Sequence, residues 1–163
     1  MGDWFNTINY WTARLLETNP AIFFAVLFIM PLSSFLFNTY KTKQIRNRIL
    51  NLLSEPYHFE KDTIKRMRKK LSVPGIYVLR NTKTNKHYVG QSINIKERLL
   101  DHVSGNGNRM VRFAMEKGNQ FEMMVIPLED SGYKCLDKLE KHGIEVFNSY
   151  YKGYNRTRGN GKR

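Results

Sequence analysis

Cysteine is almost missing from this chain: Cys135 is the only one. A single thiol excludes an intrachain disulfide framework and a cysteine-rich zinc module. Histidine is sparse as well, and His58, His87, His102 and His142 are scattered without metal-ligand spacing. Acidic charge is the third shortage, with 14 Asp and Glu against 27 Lys and Arg, a formal net charge of +13. A surface so basic excludes a generally acidic face and favours a polyanionic partner, nucleic acid or anionic lipid. Apolar residues are not short. At 41% hydrophobic and 13% aromatic, the chain is too apolar for a disordered basic tail. Its 163 residues predict one compact domain plus an additional segment. Internal repeats are absent.

The apolar residues cluster near the N-terminus. No charge falls between Thr18 and Tyr40, and the centre of that run is Ala21 to Phe37, AIFFAVLFIMPLSSFLF. A helix of that length spans roughly 34 Å, against about 30 Å of hydrocarbon in a bilayer. Trp4, Tyr10 and Trp11 precede the run and Tyr40 follows it, as interfacial aromatics do. Pro31 breaks a soluble helix but is tolerated in a membrane, where Ser33 and Ser34 help to satisfy the freed carbonyls. A buried core helix and a cleaved signal peptide are the rival readings. Against the second, positive charge follows the apolar run and no small-residue cleavage pattern appears. One retained transmembrane helix over residues 18–40 is therefore expected, after a short extracytoplasmic segment, 1–17. Only Arg14 is cationic upstream, whereas Lys41, Lys43, Arg46 and Arg48 follow at once. The positive-inside rule then predicts a single-pass inner-membrane protein with its C-terminal part in the cytoplasm. One reduced cysteine suits that compartment.

Residues 41–73 read as a basic juxtamembrane helical linker. Ile45, Ile49, Leu52 and Leu53 give Lys41 to Ser54 an apolar face, Ser54-Glu55-Pro56 breaks it, and Ile64, Met67 and Leu71 mark a second helix from Glu60 to Leu71. The opposite face of that helix carries Lys61, Lys65, Arg66, Arg68, Lys69 and Lys70. Such a run is either a solvated face or a contact with headgroups, phosphates or a membrane-protein partner.

From Pro74 the pattern shortens. Ile76 to Leu79 reads as a strand buried on both faces and His87 to Val89 as its hairpin partner across the turn chemistry of Asn81 to Asn85. Asn94 with Glu97 resembles a capping box opening a helix with Ile95, Leu99 and Val103 in its core stripe. Further helices are predicted over Asn108 to Lys117 and Ser131 to Asn148, with a third strand, Phe121 to Pro127, between them. The tail from Gly153 to Arg163 is basic and rich in Gly and Asn.

Chemistry-bearing residues gather in this part. Tyr77 and Tyr88 lie on adjacent strands. Arg98 and His102 are four apart on one helix and share a face. Placed at 3.6 residues per turn, Leu136, Leu139, Gly143, Val146 and Phe147 form the inner face of the last helix, and Glu140 falls within it while Glu145 faces solvent. An inward carboxylate is neutralised, paired or bound to a cation, so Glu140 is the candidate metal ligand. A carboxylate-held cation, an arginine fork and a tyrosine or histidine able to take a proton suit metal-assisted attack on a phosphodiester.

The order of motifs is more specific still. Gly75-Ile76-Tyr77, ten further residues and Tyr88-Val89-Gly90 are followed by Gln91, Asn94, Arg98 and His102, then by Glu140 and by Gly153-Tyr154-Asn155. This series resembles the GIY-YIG nuclease family, which includes phage-type homing endonucleases, some restriction enzymes and the incision subunit of bacterial excision repair. The resemblance covers residues 74–163. It implies an α/β (α+β) domain with a small three-stranded antiparallel sheet flanked by helices. It also implies hydrolysis of DNA with one divalent cation, Mg²⁺ or Mn²⁺, and no small-molecule cofactor. Glu140 would hold the cation, Arg98 the scissile phosphate, Tyr88 the general-base or water-orienting role, and Tyr77 an assisting hydrogen bond. His102 matches a proton-accepting or phosphate-orienting histidine of some members, and Asn155 a structural or polar active-site asparagine. Val89 stands in place of the family's isoleucine, and Gln91 where some repair-type members have lysine, so a lysine-assisted mechanism is not expected. Asn155-Arg156-Thr157 also fits a glycosylation sequon, but a cytoplasmic active-site Asn escapes modification. The expectation is a membrane-anchored DNA endonuclease of weak sequence specificity, acting on foreign DNA entering at the membrane. The competing reading is an inactive DNA-binding scaffold, or a nuclease subunit of a membrane complex.

Overall fold

The structure, a computed structural model, describes residues 10–14, 17 and 19–159. Trp4 and the end of the basic tail, residues 160–163, lie outside the described residues. Two compact units divide the chain, Met1–Gln44 and Ile45–Arg163.

The first unit is helical. Helix α1 (Pro20–Phe24) opens with proline in its first turn. A π-helical turn, Ala25–Ile29, follows, and then α2 (Met30–Leu52), whose residues from Ile45 onward belong to the second unit. Pro31 therefore does not end the helix; it sits two residues after the π turn, where the ladder is already rearranged. Ser33 Oγ donates to the Met30 carbonyl at 2.8 Å. One helix, Pro20–Leu52, is long and apolar enough to cross a membrane, with a mean hydropathy of 2.2 in its most apolar window and none of that window buried. Phe28, Ile29, Phe35 and Phe37 are each more than 60% exposed, unlike a core helix of a soluble protein.

The second unit is built around an antiparallel sheet. Its strands are β1 (Tyr57–His58), β2 (Gly75–Asn81), β3 (His87–Ser92) and β4 (Phe121–Pro127), in the spatial order β1-β4-β2-β3. The three expected strands become four: Tyr57 pairs with Met123 and His58 with Glu122. Two residues are too few to show an alternation in sequence. β2 is central and buried from Gly75 to Leu79. Its side chains alternate: Ile76 and Val78 enter one core with Ile49, Leu139 and Ile144, while Tyr77 and Leu79 enter the other with Ile64, Leu71, Ile95 and Leu99.

Helices cover both faces. α3 (Lys61–Arg66) and α4 (Arg68–Leu71) replace the single helix expected over 60–71, broken at Met67. Their six cations are all exposed, and Ile64 and Leu71 are fully buried. Within residues 41–73, the basic juxtamembrane helical linker expected from sequence, Ile49, Ile64 and Leu71 are buried core residues. α5 (Ile95–Val103) begins at Asn94, whose side chain accepts from the Glu97 N–H. α6 (Arg109–Glu116) is capped by Asn108. The helix predicted over Ser131 to Asn148 is shorter: α8 (Leu136–Val146) starts only after Cys135, and a separate short helix before it, α7 (Leu128–Ser131), stops at Gly132, in the left-handed conformation at φ 66°.

β3 is the outer strand of the sheet beside β2. Its free edge is taken up by the segment after α8. Tyr154 N–H donates to the His87 carbonyl at 2.9 Å, and Asn155 bonds both backbone groups of Val89. That closes an edge that otherwise offers unpaired donors and acceptors.

Candidate active site

β2 and β3 bring Tyr77 and Tyr88 onto one face. Tyr77 stands opposite Gly90 in the register. A Cβ at Gly90 would collide with the Tyr77 hydroxyl, so the glycine after Val89 makes room for the ring to lie across the neighbouring strand. α5 supplies His102, whose ring centroid is 5.5 Å from that of Tyr77 and 5.3 Å from that of Tyr88. The Tyr77–Tyr88 separation is 6.1 Å.

The hydrogen bonds assign the protons. Asn108 N–H donates to His102 Nδ1 at 3.3 Å. The neutral ring then carries its proton on Nε2 and donates it to the Tyr77 hydroxyl oxygen, 3.0 Å away. Gly107 makes this approach feasible, because a Cβ there would strike the imidazole. Burial, reinforced by the Arg98 charge, lowers the His102 pKa to about 4. Burial, with Tyr88 nearby, pushes the Tyr77 hydroxyl far up, and Arg98 opposes this. Tyr88 is half-buried. Burial raises its pKa too, Tyr77 and Arg98 pull it down, and Glu140 pushes it up. Tyr88 therefore lies in the field of both the arginine and the carboxylate.

Arg98, on α5, is partly exposed and has Asp101 3.6 Å away. Glu140 projects from α8 and is 7% exposed, whereas Glu145 is exposed. Gln91 Nε2 donates to Glu140 Oε2 at 3.2 Å and to Asp137 Oδ1 at 2.6 Å. One amide thus ties two carboxylates of α8 to the end of β3. Among the described residues there is no cluster of three or more His, Cys, Asp or Glu that could hold a metal. One buried carboxylate with a second nearby fits a hard cation such as Mg²⁺, which keeps several waters and takes substrate phosphate oxygens for the rest.

Five of the six candidates converge: Tyr77, Tyr88, Arg98, His102 and Glu140. Asn155 is placed differently. Its Oδ1 accepts from Val89 N–H at 2.9 Å and its Nδ2 donates to the Val89 carbonyl at 2.7 Å. Both ends of the amide are spent on the strand next to Tyr88. Asn108 and Asp137 were not legible as site residues. Asn108 reads only as a helix cap, and Asp137 as one more exposed acid. A separate cavity of about 710 Å³, lined by Leu52, Met67, Val73, Pro127 and Tyr133 among others, contains none of the six.

An arginine, two tyrosines and a buried carboxylate at the edge of a small α+β sheet are the equipment of a phosphodiester-cleaving hydrolase. The model of the GIY-YIG catalytic domain matches residues 73–155, half of the chain. The chain belongs to the GIY-YIG family, whose domain is that of a nuclease acting on DNA, generally with a divalent metal. No curated protein and no solved structure matches the chain.

Proposed function

We propose that this chain is a membrane-anchored DNA endonuclease that uses one divalent cation, Mg²⁺ or Mn²⁺, held by Glu140. The observation that carries this reading is the cluster of Tyr77, Tyr88 and His102, with ring centroids 5.3 to 6.1 Å apart, inside the stretch that matches the GIY-YIG catalytic domain. Arg98 grips the scissile phosphate with its planar fork and stabilises the charge that grows on it. Tyr88, the more exposed tyrosine, orients the attacking water; with its pKa raised by burial it takes the water's proton only as the phenolate, after its own proton has passed to solvent. Tyr77 positions Tyr88. His102 fixes Tyr77 with its Nε2–H and is itself too acid-shifted to serve as the base at neutral pH. Asn155 is a positioning residue, holding the strand that bears Tyr88. Glu140 would hold the divalent cation, which when bound would supply positive charge to stabilise the phosphate and the leaving oxygen.

The exposed apolar helix supports the anchor, and the cation excess after Tyr40 supports a cytoplasmic nuclease domain in an inner membrane. Non-specific DNA affinities of about 10⁻⁴ to 10⁻⁶ M make a freely diffusing basic nuclease a hazard to a chromosome. The tether confines cleavage to DNA at the membrane, incoming foreign DNA above all. The test is the detergent-purified full chain, titrated with Mg²⁺ on supercoiled, linear and single-stranded DNA. Metal-dependent nicking that chelation stops is expected. Bound but uncut DNA at every Mg²⁺ concentration would instead establish a scaffold.

A further inference from the structure

We infer that a cleft on α6 receives an unpaired nucleobase next to the scissile phosphate, so that the substrate is single-stranded or frayed DNA. This rests on the nuclease reading for its choice of DNA. The cleft has a volume of about 380 Å³ and is lined by Arg109, Met110, Arg112, Phe113, Glu116 and Arg156. α6 commits Val111 and Ala114 to the core. Met110 and Phe113, on another face, are 43% and 52% exposed. The Lys117 ammonium lies over one face of the Phe113 ring, 4.3 Å from its centroid, and on the rim Arg112 Nη1 donates to the Gly105 carbonyl at 3.1 Å.

Two short pieces of chain tie the cleft to the tyrosine cluster. Arg109 follows Asn108, which bonds His102. Arg156 follows Asn155, which bonds the residue after Tyr88. A flat aromatic wall under an arginine rim suits a base stacked on its π face with its phosphate among the guanidinium groups. A paired base hides its π faces in the duplex stack, so only an unpaired one enters without an unstacking cost.

The test measures binding in chelator, using the full chain in detergent with a fluorescent oligothymidine and a blunt duplex of equal length. Phe113→Ala is expected to weaken oligothymidine binding roughly ten-fold and duplex binding less than about two-fold. Phe113→Leu, which keeps apolar bulk without a π face, is expected to behave likewise, and Phe113→Trp to restore binding. Equal losses on both DNAs, or no loss on either, overturn the inference. The nuclease reading fails separately, if wild type with Mg²⁺ leaves every DNA uncut while this binding contrast persists.

Discussion

At the scale of single residues, burial decides what each ionisable group does. Glu140 and Glu145 are both on α8, yet only Glu140 is turned inward beside Gln91. Glu140→Ala is expected to abolish cleavage while DNA binding survives, and Glu145→Ala to stay active; a nicking assay paired with a gel shift checks both. Arg98→Lys keeps the charge but loses the fork, and a fall in rate on the order of 10²-fold is expected in single-turnover assays. His102 affects stability. Its pKa falls from 6.5 to about 4 on folding, chiefly through burial. The unfolded chain therefore takes up the proton first on acidification. Stability is complete above about pH 6.5 and is lost as pH falls toward 4, by about 3 kcal/mol from this group. Denaturant melts between pH 7 and 4.5 should show that decline, flattened in His102→Gln.

At the scale of elements, the segment before the family match carries more than a connection. Ile64 on α3 and Leu71 on α4 are fully buried against the face that holds Tyr77, and Ile49 on α2 fills the other core. Ile64→Ala is expected to cost about 2–5 kcal/mol, read as a lower denaturation midpoint. A fragment of residues 74–163 should lack cooperative unfolding, whereas 45–163 should unfold in one transition by circular dichroism. β1 and the short α7 escaped sequence reading for one reason: neither is long enough to express a period. The central strand, the hairpin and the helix starting after Asn94 were legible because each has a run or cap that local rules recognise.

At the scale of the whole molecule, charge and hydropathy are segregated along the chain. Arg14 is the sole cation before Lys41. A protease added to intact spheroplasts is therefore expected to leave the nuclease domain whole, and digestion before lysis would reverse the topology. Replacing the first 40 residues with a soluble leader should keep nuclease activity in the tube. In cells it should raise toxicity or remove protection against incoming DNA, measured as viability and plating efficiency.

The amino-acid order alone determined the apolar span, the sheet's core strands and the helical phase that turns Glu140 inward. These depend on periodicity and spacing over a few residues, which local geometry dictates. Tertiary structure decided the rest. Asn108 reaches His102 only because Gly107 lets the loop approach the ring, and that contact puts the histidine's proton on Nε2. Asn155 spends its amide on Val89 only because the chain returns along the open edge of β3. Such contacts join residues far apart in sequence, and no local rule sets their distance.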